Sequence, residues 1–229
     1  MTASRDATRI LVVCAHPDDE VLGMGGTIAR HALAGDRIHV LCLSEGSSAQ
    51  YPDDPDRRRA RTEASRTAAE LLGVEELVQL DHPDERLDTV PQLELNRAVE
   101  SHMARFAPEI VYCVHGDVNS DHRAVFRSTA VATRSTPAQS VRRVLAFAIP
   151  SSIEWTPTQI ASFAPTWFVD VGATIERKLE AFACFETEAR PYPHPRSTEG
   201  LRAYAAFHGA AAGCELAEPF VLVRNVVRG

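Results

Sequence analysis

Arg9-Ile10-Leu11-Val12-Val13-Cys14-Ala15-His16-Pro17-Asp18-Asp19-Glu20 decides how this chain is read. The run 9–15 is apolar without alternation, as a strand buried on both faces requires. It ends in one imidazole and three carboxylates, and apolar residues at helical spacing follow. In an open α/β sheet the carboxyl end of a parallel strand is where ligands bind. A second strand-like run, Pro108-Glu109-Ile110-Val111-Tyr112-Cys113-Val114, leads into Asp117, Asn119, Asp121 and His122. Two strand ends thus offer His, Asp and His around one crevice. Three protein ligands, with a fourth position left to water, is the composition of an open catalytic zinc site.

The alternation continues on both sides of these runs. Strands are predicted at 9–15, 37–43, 76–80 and 109–114, and helices at 17–34, 56–73, 91–106 and 122–134. Short joints between alternating elements imply a Rossmann-like α/β fold, a mostly parallel sheet with helices on both faces. Right-handed crossovers then bring the loops 15–20, 44–55, 81–90 and 115–121 to one rim, at the carboxyl ends of the strands. Beyond about residue 140 the rhythm changes: strands are predicted at 142–149, 166–171 and 219–224, and helices at 173–188 and 198–212. Between those helices Pro191-Tyr192-Pro193-His194-Pro195-Arg196-Ser197 is held stiff and extended by its prolines. No repeat or linker interrupts the chain, which reads as one domain over 1–229.

Composition narrows the partners. The 229 residues are 45% hydrophobic and 24% charged, ordinary for a soluble globular protein. The formal net charge of −7 argues against a nucleic-acid partner. The basic cluster Arg57-Arg58-Arg59, Arg61 and Arg66 shares its helix with Glu63 and Glu70, so it reads as a solvated face. No run of about 18 apolar residues is present to span a bilayer, and the polar start 1–7 is no secretory signal. The five cysteines are odd in number and lack CxxC spacing. A reduced, cytoplasmic protein is expected, with no membrane or nucleic-acid partner, and homo-oligomerisation is compatible with that reading.

Each motif also has a plain reading. Pro17 suits a first helical position, and Asp18, Asp19 and Glu20 complement a helix start. That leaves His16 unexplained. With Pro17 opening the helix, His16 and Asp19 lie three apart and converge, while Asp18 turns aside to act as a base. Gly23, Gly25 and Gly26 faintly echo a dinucleotide fingerprint, but that fingerprint needs its first glycine at the turn right after the strand. His-Pro-Asp-Asp holds that place, so the glycines are expected to let the helix pack closely on the sheet.

Together the two motifs resemble the zinc-dependent N-acetylglucosaminyl deacetylase family (PIG-L or LmbE-like), and the resemblance covers nearly the whole chain. It implies a Zn2+ ion bound by His16, Asp19 and His122, with Asp18 as general base and Asp121 behind the ligands. The activity implied is hydrolysis of an N-acetyl or related N-acyl group from a small amino-sugar molecule. Asp117–Arg123 and His194-Pro195-Arg196-Ser197 are similar to a subgroup of the family. Many members carry His-Pro-Asp-His at the second motif, where this chain has Asn119-Ser120-Asp121-His122. The oxyanion donor expected of that first His falls instead to Asn119, His194 or Arg196. The family's active-site arginine is matched by Arg61, counting back from Leu72-Gly73. Arg61, Arg196 and Ser44, the last opening the loop Ser44-Glu45-Gly46-Ser47-Ser48, are the expected substrate contacts, although that loop also reads as a plain turn. Two other readings stand beside this one: a zinc amidase on a non-sugar amide or thiol conjugate, and a non-catalytic nucleotide- or sugar-binding module.

Overall fold

Apolar runs without alternation need neighbours on every side, and the chain provides them by placing its first strand in the middle of a sheet. The computed structural model describes residues 6–136 and 139–227. Among these the strands are β1 (Arg9–Cys14), β2 (Arg37–Ser44), β3 (Glu76–His82), β4 (Ile110–Val114), β5 (Arg143–Phe147), β6 (Trp167–Asp170) and β7 (Ala217–Asn225). They form one sheet in the order β3-β2-β1-β4-β5-β7-β6. The first five are parallel, and β7 runs antiparallel between β5 and β6. Ile10 to Ala15 are all completely buried.

The helices are α1 (Asp19–Leu33), α2 (Pro55–Leu72), α3 (Gln92–Phe106), α4 (Ser120–Ala132), α5 (Ile175–Ala183) and α6 (Thr198–Ala212). α1 packs with α2 and α5, whereas α3 packs with α4. From β1 the chain winds outward through β2 to β3, then crosses back to β4 on β1's other side. The strand order therefore reverses between β1 and β4, the point at which open sheets leave a crevice beyond their carboxyl ends. Both sequence motifs emerge there.

Local signals set most boundaries. Asp54 accepts the Arg57 N–H, Pro55 opens α2, and Gly73 ends it in the left-handed conformation (φ 79°). α5 is shorter than the periodicity predicts and stops at Ala183. The chain turns there to bury Phe185, which swings Glu188 into the interior.

α1 departs most from expectation. Pro17 is not in the helix: Asp18 precedes it with φ 120°, and Asp19 is the first helical residue. The helix is then broken at Met24 (φ −152°, ψ 24°). The glycines around the break pack closely, as predicted. A Cβ on Gly23 would lie 2.2 Å from the Phe147 ring. Beyond the break, Glu218 of β7 accepts the N–H groups of Gly26 (3.0 Å) and Thr27 (2.7 Å) and the Thr27 hydroxyl (2.6 Å). Lys178 of α5 completes the arrangement with a 2.7 Å ion pair to Glu218, both side chains being buried.

Removing one member of a buried pair strands the other charge, at a cost of about 3–5 kcal/mol. Glu218→Ala should therefore lose at least that much unfolding free energy in urea, since it also uncaps two α1 amides. A loss below about 1 kcal/mol would mean that Glu218 does not anchor α1.

Candidate active site

Asp18, Asp19 and Glu20 are each no more than 2% exposed, so three adjacent carboxyl groups must be accommodated without water. The backbone handles Asp19 first. Its Oδ2 accepts the N–H groups of Ala15 (3.0 Å) and His16 (2.9 Å), folding the turn back on the end of β1. This reverse bond, not a shared helix face, brings His16 and Asp19 together, with His16 Nδ1 3.7 Å from Asp19 Oδ2. Asp19 Oδ1 faces His122 Nε2 at 3.4 Å. Asp18 takes a conformation costing a non-glycine residue about 1–3 kcal/mol.

The second motif arrives on the amino end of α4. Asn119 caps that helix, its Oδ1 accepting the N–H groups of Asp121 (2.8 Å) and His122 (3.3 Å). His122 Nδ1 lies 2.8 Å from Asp117 Oδ2, and His16 Nε2 lies 3.2 Å from Asp121 Oδ2. Each imidazole thus has a carboxylate behind it, the arrangement that fixes the tautomer and orientation of metal-ligating histidines. One potential ligand atom from each of His16, Asp19 and His122 lies within 4.8 Å of the others. The donor set fits a divalent ion: two imidazoles, one carboxylate, all buried, with acceptors behind both rings.

The electrostatics agree with that fit. Burial disfavours a charged His122, yet the Asp19 charge and the bond to Asp117 overcome it and raise its pKa to about 10. Burial would raise the Asp19 pKa, but His122 and His16 hold it well below the usual carboxylate range. The space between these groups calls for positive charge, which a proton or a metal ion can supply.

Asp18 has a different set of partners. Burial raises its pKa to about 6, against the pull of the Arg61 and Arg196 charges. Arg61 Nη2 donates to Asp18 Oδ2 (3.2 Å) and to the Pro17 carbonyl (3.1 Å). Its Nη1 pairs with Glu188, which also binds Arg196 Nη1 at 2.8 Å. Arg196 Nη1 lies 3.7 Å from Asp18 Oδ2. Glu188 therefore ties two arginines to one carboxylate. Burial pushes Glu20 up to about 8, so this third carboxyl holds its proton at neutral pH.

Three of the expected residues have partners within the protein. Ser44 is completely buried and its hydroxyl donates to the Ala15 carbonyl (2.8 Å), so it serves the ends of the strands rather than standing free for a substrate. The loop after it supports the motif instead: Gly46 (φ 68°) lies so close to Pro17 that a Cβ would come within 2.1 Å of its ring. Asn119 spends its carboxamide on the cap and on Glu85, to which Nδ2 donates at 2.8 Å. Arg61 is buried against Asp18 and Glu188, away from solvent. His194 stacks edge-on against Trp155, and its Nδ1 accepts the Arg196 N–H at 3.0 Å. That bond leaves the proton on Nε2.

Sequence reasoning passed over Glu188, Asp84 and Glu85. Asp84 Oδ1 and Glu85 Oε1 lie 3.6 and 3.9 Å from His16 Nε2. A signal was available for these two, because His82-Pro83-Asp84-Glu85 repeats much of the first motif at the end of β3. Glu188 carries none, since only the folded chain brings it to Arg61.

Known proteins match this chain in sequence and in fold. The family model described as PIG-L: GlcNAc-PI de-N-acetylase matches residues 11–133. The uncharacterized deacetylase YaiS of Escherichia coli K12 is 33% identical over 171 residues, covering 71% of this chain and 81% of its own. The diacetylchitobiose deacetylase of Thermococcus kodakarensis is 25% identical over 230 residues, covering 96% and 85%. Among solved structures, GalB of Pseudomonas putida KT2440, a 4-carboxy-2-hydroxymuconate hydratase, shares the fold with a TM-score of 0.76. It is 24% identical, and the match covers 97% of this chain and 98% of GalB. One fold thus carries more than one reaction, but the matched sequence containing both motifs places this chain in the PIG-L de-N-acetylase family.

Proposed function

We propose that this protein is a zinc-dependent N-deacetylase that hydrolyses the acetamide of a small amino-sugar substrate. The observation that carries the reading is the pairing of a His16–Asp19–His122 donor set with a separate buried carboxylate, Asp18, on the same turn. The named relatives support the choice of acyl group and sugar.

His16, Asp19 and His122 would hold the ion, oriented by Asp121 and Asp117. When bound, zinc supplies Lewis-acid polarisation of the amide carbonyl and lowers the pKa of water. Asp18 accepts the proton of the attacking water, and a pKa of about 6 keeps most of it ionised at neutral pH. Arg61 and Arg196 hold that carboxylate in place. His194 Nε2–H serves as hydrogen-bond donor to the carbonyl oxygen as it gains negative charge. Its pKa is lowered by partial burial and the Arg196 charge, so it donates as a neutral imidazole. Asp18 then returns its proton to the departing nitrogen, the C–N bond breaks, and acetate and a free amine leave.

Metal content tests the donor set. His16→Ala, Asp19→Ala and His122→Ala should each lose most bound zinc by elemental analysis. Asp117→Asn and Asp121→Asn should weaken binding by roughly 10–100-fold, the worth of a partner behind a ligand. Stoichiometric zinc in His122→Ala protein would eliminate this site.

Turnover tests the base. Asp18→Asn should keep zinc and lose on the order of 10²–10⁴-fold in acetate release from an N-acetylated sugar such as diacetylchitobiose. Because Asp18 must be ionised, wild-type kcat/KM should rise with pH through about 6. The Arg196 charge lowers the Asp18 pKa, so Arg196→Met should move this acid limb to higher pH. A limb that stays in place, or moves down, would argue that Asp18 is not the titrating base.

A further inference from the structure

At the opposite edge of the sheet, near the amino ends of the strands, lies a second group of ligand-type side chains that the proposed reaction does not use. His39 of β2 and Glu76 of β3 are paired across the parallel strands, and His102 of α3 packs over them. One potential ligand atom from each lies within 4.8 Å of the others. Both histidines are 6% exposed. Two of their ring nitrogens, His39 Nδ1 and His102 Nε2, are buried with no hydrogen-bond partner.

The geometry between His39 and Glu76 is informative. Nδ1 lies 3.0 Å from Glu76 Oε2, close enough for an ion pair, but the two are not aligned as a hydrogen bond. An unprotonated ring nitrogen and a carboxylate oxygen both present lone pairs, so their approach calls for a proton on Nδ1 or a metal ion between them. Ligand atoms of a tetrahedral zinc ion, each about 2.0–2.1 Å from the metal, stand roughly 3.3 Å apart. The observed separation is near that spacing.

The surroundings hold the three side chains ready. Phe106 stacks on the His39 ring with centroids 3.5 Å apart and planes 14° from parallel. Arg105 donates to Glu76 Oε1 at 2.8 Å, leaving Oε2 for the cluster. A longer contact of 3.4 Å joins Arg105 to His102 Nδ1. Metal binding through Nε2 places a proton on Nδ1, so Arg105 must release that contact. Its side chain is 56% exposed and free to do so. Glu76 is 33% exposed, which leaves the cluster a path to solvent.

We propose that His39, Glu76 and His102 form a second site for a borderline divalent ion such as Zn2+, separate from the catalytic centre. Two imidazoles and one carboxylate are the donor types such ions take. An ion there would staple the edge strand β3 to β2 and α3, with water completing its coordination.

The test is a metal count on the full chain, stripped with chelator, titrated with micromolar zinc and freed of excess by gel filtration. Wild-type protein should retain two equivalents. His102→Ala and Glu76→Gln should each retain one, with deacetylase activity preserved, and His122→Ala should retain one at the other site. Glu76→Gln alters a partly exposed residue, so it reports even if His102→Ala fails to fold. Arg105→Ala should bind the second equivalent at least as tightly as wild type. One equivalent in wild type, kept in His102→Ala and lost in His122→Ala, would overturn the proposal. So would a second equivalent that needs millimolar zinc, that persists in both His102→Ala and Glu76→Gln, or that is lost in Arg105→Ala.

Discussion

Three consecutive carboxyl groups in a dry turn cannot all be ionised without partners, and the site is organised around that constraint. Asp19 keeps its charge because two backbone N–H groups and His122 face it. Glu20 surrenders its charge to burial. Asp18 lies between these extremes, pulled up by desolvation and down by two arginines. The groups behind them follow from this division. Asp117 backs His122, Arg61 and Arg196 converge on Asp18, and Glu188 keeps those arginines from being an unbalanced buried charge. Neighbouring acids thereby acquire different tasks, one suited to a metal and one to a proton.

The frame of the fold was readable because its signals are local. Continuous apolar strands, Asp54-Pro55 at the start of α2 and Gly73 at its end each specify their own neighbourhood. The crevice was readable as well, since crossover handedness alone sends the loops after β1 and β4 to one rim. The structure brings ligand atoms of His16, Asp19 and His122 within 4.8 Å of one another there.

What escaped reading depends on contacts between distant parts of the chain, or on a backbone conformation that composition does not encode. Pro17 looked like a helix start, but the bonds from Ala15 and His16 to Asp19 tighten the turn and delay the helix by two residues. Ser44 looked like a sugar contact because a loop follows it, yet its hydroxyl is needed by the Ala15 carbonyl where two strands end side by side. The position of Arg61 in its helix is legible, but its partner Glu188 lies 127 residues away, at a turn where the periodicity predicts that a helix continues. Asn119 reads in the sequence as a donor to the oxyanion. The physical demand on it is more immediate, because the amino end of α4 has N–H groups that need an acceptor.

The break in α1 has a consequence for how a buried site can be filled. With Glu218 and Lys178 fastening the helix beyond Met24, its first turn is not required to hold the rest. The break divides α1 into two segments: Asp18 to Gly23 carries the acidic turn, and the part beyond Met24 has its own anchor. His16 and Asp19 are almost sealed from water in the closed state. Anything held between them would therefore meet solvent only when the surrounding turn moves, whatever the stability of the sheet beneath it.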